Sequence, residues 1–357
     1  LVPDIQVESI RAEWEDIMAG SGSPDLGEDI KILKEYAKKR KLARLSLEIG
    51  EECKLDRPNI VVLMEKLGSI QVDGVTTTTN VQDLEQFERE MEIRNSSHDS
   101  LVGMTSTIPK IDEACGGFVG GELVVIAGRP GSGKTCLLLQ DLIANAIDGN
   151  KKCLMFSLEM KRFELYQRMI ARIEGVYKLD HPDETTKAHI YNAIGKLKHG
   201  TFKIFDDIFD IDAIVSQSWY QREVFGVDAI FVDYIQLISS HHFCATDNSR
   251  ISQISRQLKM LSQQIDVPII VGAQLNRQVE ARDDQRPILA DLRDSGSIEQ
   301  DASIVMALHH HKTDNPILGA IAERVTDGIF LLKNRRGPAY FRVEVSFTPW
   351  LSEFHQL

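Results

Sequence analysis

Apolar positions recur at helical spacing through the first ~80 residues. Ile30, Leu33, Tyr36 and Ala37 run on into Leu42, Leu45 and Leu47, with Lys38, Lys39, Arg40, Lys41 and Arg44 between them. A turn at Leu55-Asp56-Arg57-Pro58 and a second apolar helix from Ile60 to Leu67 follow, while the stretch from Gly20 to Gly27 predicts a loop. The basic run fits a solvated helix face better than a nucleic-acid contact. A polar run from Thr76 to Asn80 breaks the pattern. Beyond it, Val81 to Arg94 carries Leu84, Phe87 and Met91 as one narrow apolar stripe on a charged helix. That predicts a linker helix docking either on its own chain or on a neighbouring subunit. From about Leu101 short apolar runs alternate with helical patterns, the signature of a mostly parallel sheet. Strands are expected at Leu123–Ala127, Cys153–Ser157, Ala229–Val232, Ile269–Val271, Ile304–Ala307, Ile329–Leu332 and Tyr340–Phe347, with helices from the Gly-rich loop to Ile147, from Arg162 to Ile173 and from Ser249 to Ile265. In the last of these, Ile251, Ile254, Leu258, Leu261 and Ile265 face a core and Arg256 and Lys259 the surface. The expected division is a helical region over 1–75, a linker over 76–100 and an α/β domain over 101–357.

Composition narrows the class without deciding function. The chain is 43% hydrophobic and 26% charged, an ordinary globular mixture rather than a disordered one. No apolar run approaches the ~20 residues of a membrane span, and no secretion-type opening is evident. The first residue is Leu1 rather than Met, which is consistent with a missing front. Cys53, Cys115, Cys136, Cys153 and Cys244 have no metal-type spacing and read as free thiols of a cytoplasmic protein. A net charge of −12 argues against a uniformly basic nucleic-acid coat but leaves room for a narrow basic channel.

The strongest chemical signal is Gly128-Arg129-Pro130-Gly131-Ser132-Gly133-Lys134-Thr135, followed by Cys136, between an expected strand and an expected helix. It satisfies the phosphate-binding pattern GxxxxGK[ST]. Glycines let the backbone close around phosphate oxygens, and the helix that follows aims its N–H groups and positive dipole end at them. Lys134 is expected to reach the β- and γ-phosphates of ATP and Thr135 to hold Mg²⁺. Asp233, at the end of Ile230-Phe231-Val232, has the position of the second metal-supporting acid. Glu159, just past Phe156-Ser157-Leu158, is the expected water-activating base, since such groups gather at strand carboxyl ends; Asp206 and Asp207 compete. Gln274, after Pro268–Ala273, is placed to sense a γ-phosphate. Spacing alone leaves Arg293-Asp294-Ser295-Gly296 balanced between a surface loop and a contact to a phosphodiester chain. The basic turn Lys333-Asn334-Arg335-Arg336 is either solvated charge or an arginine finger for a neighbour's γ-phosphate.

Taken in order, "GRPGSGKT", "FSLEM", "VDYIQLI", "QLNR", "DLRDSGSIEQDA" and "KNRRGP" resemble the motor of DnaB-type replicative helicases, from about Leu101 to Leu357. The resemblance implies a RecA-like α/β fold forming a hexameric ring around single-stranded DNA, with 5′-to-3′ movement. It makes Lys134 and Thr135 the Walker-A pair, Glu159 the catalytic glutamate, Asp233 the Walker-B acid and Gln274 the γ-phosphate sensor. Lys333 and Arg335 become a pair acting across the subunit interface, and Arg293, Asp294 and Gly296 part of the loop gripping DNA. Asp294 and Arg336 depart from the family, which usually has Glu and Asn there. The region before the linker resembles only the back part of the family's N-terminal domain, which leaves primase and helicase-loader contacts open and suits a phage or plasmid protein. A rival reading is a ring or filament ATPase of the recombinase or clock type that binds without unwinding.

Overall fold

A computed structural model describes Leu84, Glu88, Leu101 and residues 103–176, 179–241, 246–282, 284–292, 296–309 and 324–357, the last group without side-chain detail at 324–327. The chain divides into two units, Leu1–Thr77 and Thr78–Leu357, and the described residues all belong to the second. The helices expected before residue 76 lie outside the described residues, as does the linker helix apart from Leu84 and Glu88, both helical.

The strands are β1 (Leu123–Gly128), β2 (Cys153–Ser157), β3 (Phe202–Phe205), β4 (Ala229–Asp233), β5 (Ile269–Gln274), β6 (Ile304–His309), β7 (Arg324–Asn334), β8 (Phe341–Thr348) and β9 (Glu353–Gln356). They form one sheet in the order β3-β2-β4-β5-β1-β6-β7-β8-β9. Its first six strands are parallel and the last three antiparallel. β1, β2 and β4 are buried at every position, as continuous apolar runs in a sheet covered on both faces must be. Alternate residues serve opposite layers: Val124 and Ile126 face one core, Leu123, Val125 and Ala127 the other.

The helices are α1 (Pro109–Cys115), α2 (Lys134–Ile143), α3 (Arg162–Glu174), α4 (Glu184–His199), α5 (Ile211–Phe225), α6 (Asp247–Ile265) and α7 (Gly296–Asp301). α2 continues as a π-helical segment, Ala144–Asp148. Leu137, Leu138, Leu139 and Leu142 of α2 fill the first core with Leu165 and Met169 of α3. The stripe expected on α6 (Ile251, Ile254, Leu258, Leu261 and Ile265) fills the second. Each such side chain contributes about 1.5–3 kcal/mol on burial. α6 starts at Asp247, two residues before the expected Ser249, because Thr246 caps it by accepting from the Ser249 N–H at 3.1 Å. Among the described residues no helix is long and apolar enough to cross a membrane.

One buried polar cluster ties the segment before α1 and the last strand to α2. Gln140 accepts from the Phe354 N–H (2.7 Å) and donates to the Phe354 carbonyl and Thr107 hydroxyl (both 2.9 Å), which seats β9 against α2. Its neighbour Asp141 is fully buried and accepts from the Thr107 hydroxyl at 2.7 Å through one oxygen, while the other has no partner. Burial pushes this carboxyl well above the ordinary range, against the Thr107 hydrogen bond. The folded state thus keeps a proton that the unfolded chain releases near pH 3.8, so this group lowers stability as pH rises beyond that value. Asp141→Asn removes the titration. Urea unfolding at about pH 5 and about pH 8 is expected to show the variant gaining on the parent as pH rises; a pH-independent difference would contradict the assignment.

Candidate active site

β1 delivers the chain into a tight turn at Gly128 and α2 leaves it at Lys134. Gly131 and Gly133 both sit in the left-handed region, at φ 75° and 89°. At Gly133 there is no space for a side chain either. A Cβ there would lie 2.7 Å from the ring of Phe354 and 2.8 Å from that of Phe347. These rings stack on each other with centroids 4.2 Å apart, so antiparallel β8 and β9 form the floor of the turn. Lys134 is buried and folds back over the turn, donating to the carbonyls of Gly128 (3.1 Å) and Arg129 (3.2 Å). Burial draws its ammonium below the usual lysine range, while Asp233 and Glu159 oppose that shift.

Parallel register brings the remaining groups to the same edge. Gly128 is level with Gln274, and Ser157 with Asp233. The Leu158 N–H donates to the Asp233 carbonyl at 2.8 Å, which sets Glu159 beside the end of β4. A cleft of about 690 Å³ opens here, lined among others by Lys134, Thr135, Cys136, Glu159, Arg168, Tyr234 and Gln274. Asp233 lies next to Thr135, Glu159 and Lys134 with no exposed surface, and neither carboxylate oxygen has a hydrogen bond of ordinary geometry. Burial pushes its pKa up to about 6, a shift that the nearby Thr135 hydroxyl moderates. Glu159 is exposed. Gln274 is held by its backbone: its N–H donates to the Gln236 side-chain oxygen (3.1 Å), and the Gln236 amide donates to its carbonyl (3.4 Å).

Five of the expected residues, Lys134, Thr135, Glu159, Asp233 and Gln274, therefore meet in one place, with Pro130, Gly131, Gly133 and Cys136 in the same wall or at its base. Gly128 and Ser132 stay in the turn, Ser132 buried. The side chain of Arg129 turns elsewhere, to the Leu275 carbonyl (2.9 Å) and Glu280 (2.8 Å). Lys333 and Arg335 are not part of the cleft wall; both donate to carbonyls at the end of α7, Lys333 to Glu299 and Gln300, Arg335 to Gln300. Arg336 is taken up by Glu122 (2.7 and 3.1 Å) and the Gly117 carbonyl (2.6 Å). Asp206 is engaged by Arg162, through the backbone N–H at 3.1 Å and the guanidinium at 2.7 Å. Arg293, Asp294 and Ser295 lie outside the described residues, and Gly296 opens α7.

Sequence reasoning missed Arg168, Tyr234 and Gln236. Arg168, on α3, donates towards the Cys136 sulfur at 3.4 Å, and Lys134 lies 5.9 Å from the Tyr234 ring centre. No spacing rule marks these residues, because each arrives by tertiary packing. The glycine turn makes one expectation concrete. Gly133→Ala combines a left-handed backbone with a clash against two packed rings, and is expected to cost roughly 2 kcal/mol or more in chemical denaturation. A loss below about 0.5 kcal/mol would mean the rings are not seated under the turn.

Comparison with known proteins fits this geometry. Residues 103–356 match the family described as the DnaB-like helicase C terminal domain. The replicative DNA helicase DnaB of Mycoplasma genitalium is 34% identical over 268 residues, covering 71% of this chain and 56% of that protein. That of Mycoplasma pneumoniae is 31% identical over 376 aligned positions, covering 97% and 78%. The chain thus spans little more than half of the first relative's length. A solved ATPase domain superposes with a TM-score of 0.68 at 29% identity, covering 76% of this chain and 98% of that one. A DnaB-like replicative helicase, solved in work on its interactions with primase, superposes with a TM-score of 0.75 at 27% identity, covering 94% and 80%. The fold is accordingly that of a RecA-like ATPase domain, and the chain belongs to the DnaB-like helicase C-terminal domain family.

Proposed function

We propose that this chain is the ATP-hydrolysing motor of a replicative DNA helicase, acting as a hexameric ring that moves 5′-to-3′ on single-stranded DNA. The observation that carries the reading is the meeting of Lys134, Thr135, Glu159 and Gln274 in one cleft behind a phosphate-type turn, with the buried Asp233 beside them. Domain boundaries at 75/76 and 100/101, a primase or loader contact, and a cytoplasmic setting belong to the same proposal.

The site suits Mg²⁺ with ATP. Asp233 is buried next to the Thr135 hydroxyl, with no hydrogen bond of ordinary geometry to either oxygen, and among the described residues no cluster of three metal-ligating side chains stands nearby to form a protein cage. One carboxylate and one hydroxyl, completed by phosphate and water, is a usual Mg²⁺ set. When bound, the ion draws charge from the phosphate oxygens. The chain's own groups do the rest. The turn's N–H groups and Lys134 hold the phosphates, Lys134 exchanging its loop carbonyls for them. Glu159 orients and deprotonates the attacking water, and its exposed position is open to that water. Gln274 hydrogen-bonds the γ-phosphate. Arg335 and Lys333 act on the neighbouring protomer's ATP, since in their own protomer they lie outside the cleft wall. The Arg293–Gly296 segment contacts the DNA backbone.

Fork-DNA unwinding driven by ATP tests this. Glu159→Gln and Arg335→Ala are each expected to lower unwinding on the order of a hundredfold or more while nucleotide binding stays within a few-fold. Hydrolysis and DNA binding without strand separation by assembled rings, on forks with either tail, would favour a non-unwinding assembly ATPase. Arg293→Ala is expected to weaken single-strand binding and to reduce the slope of log affinity against log salt by about 0.7. An unchanged slope would remove that residue from the DNA contact.

A further inference from the structure

Arg129 sits at the second position of the phosphate turn, and its side chain does not face the cleft. Its guanidinium spans to the segment after β5, donating from Nη1 to the Leu275 carbonyl (2.9 Å) and from Nε to Glu280 Oε1 (2.8 Å). The same Leu275 donates its N–H to the Gly128 carbonyl at 3.2 Å. The turn therefore holds both backbone groups of the residue that follows Gln274. Glu280 belongs to the short 3₁₀ helix Arg277–Ala281, which Asn276 caps by accepting from the Gln278 N–H at 3.1 Å.

From Leu275 the connections continue in one direction. Leu275 forms an antiparallel bridge with Leu292, and the Asn276 N–H donates to the Asp291 carbonyl at 2.8 Å. Leu275 and Leu292 are both buried. Asp291 is itself fixed, accepting from Arg282 Nη1 (2.9 Å) and the Ile288 N–H (2.8 Å). Leu292 is followed directly by Arg293. On the cleft side, the carbonyl of Arg129 is one of the two that Lys134 now occupies. A Lys134 ammonium drawn to a phosphate would leave that carbonyl free, at the residue whose guanidinium holds Leu275 and Glu280.

We infer that the Arg129–Glu280 pair positions the Leu275–Leu292 bridge according to what the cleft holds, and so sets how strongly the nucleotide state controls DNA affinity. This rests on the function proposed above and names the contact that transmits it. It assigns the Arg129 side chain to coupling, its backbone alone remaining part of the phosphate turn. Glu280 is half-exposed and Arg129 mostly covered, at 48% and 21% of their side-chain surfaces. A pair this open to solvent contributes little to stability, so a purely structural role predicts a small change in stability and none in the coupling.

The test uses the full chain and a fluorescently labelled oligothymidylate. Its affinity is measured with ADP and with a non-hydrolysable ATP analogue, and nucleotide affinity is measured separately without DNA. In the unsubstituted protein the two nucleotide states are expected to differ in DNA affinity by about tenfold, within the usual span of coupling between sites. Glu280→Ala is expected to shrink that ratio by about fivefold, with DNA-free nucleotide affinity unchanged within about twofold. Glu280→Gln, which still offers an acceptor to the Arg129 Nε–H, is expected to retain most of the ratio. A full ratio in Glu280→Ala overturns the inference. So does a loss of nucleotide affinity as large as the loss of ratio, which would make Glu280 part of the phosphate site. Equal DNA affinities in the unsubstituted protein would overturn the proposed function as well, and that result is read without any variant.

Discussion

Asp233 ends a central strand where the chain offers it no exposure and no hydrogen-bonding partner of ordinary geometry. An ionised carboxylate in such a place is costly unless something positive joins it, and its pKa of about 6 records that cost. The surroundings are organised to supply the compensation from outside the fold. Lys134 stands beside it, withdrawn onto two loop carbonyls rather than paired with it. Thr135 adds a hydroxyl from the first turn of α2. The glycine turn holds both in place because Phe347 and Phe354 press up from the antiparallel strands. A site left electrostatically incomplete by its own residues is what a cation-bound polyphosphate completes, which is the physical basis for the proposed chemistry.

The cleft's own positive charge is sparse. Among the described residues that line the cleft, the cations are Lys134 and Arg168. Lys333 and Arg335 are instead held by the last carbonyls of α7, the helix that starts where the proposed DNA-contact segment stops. Arg336 is committed to Glu122 and Gly117 within its own chain, and so braces the segment just before β1 against the β7–β8 hairpin.

Much of this was legible in the sequence where local rules coincide with the global fold. The buried strands β1, β2, β4, β5 and β6 are unbroken apolar runs, and the residues at their carboxyl ends are those a parallel sheet gathers on one edge. α6 was legible because its apolar stripe is complete. α4 was less so: its apolar stripe of Ile190, Ala193, Ile194 and Leu197 is short, and Ala193 is its one buried residue. α5 buries Ile211, Ile214, Ser218 and Gln221, a face half polar and invisible to a hydrophobic template. The orientation of Arg129 was equally hidden, since a motif fixes where the backbone turns and not which distant carbonyl a long side chain finds. Gln236 shows the same limit, its amide matching Gln274 only because β4 and β5 are neighbours.

The central claim, a hydrolytic site shared between protomers, is tested most directly by mixing two inactive chains. One carries Glu159→Gln and keeps Arg335; the other carries Arg335→Ala and keeps Glu159. In mixed rings about one interface in four joins an intact Glu159 to an intact Arg335. The account expects ATP hydrolysis to return on mixing, in proportion to those interfaces, where each variant alone is silent. Mixed rings that form but hydrolyse no faster than their parents would contradict it.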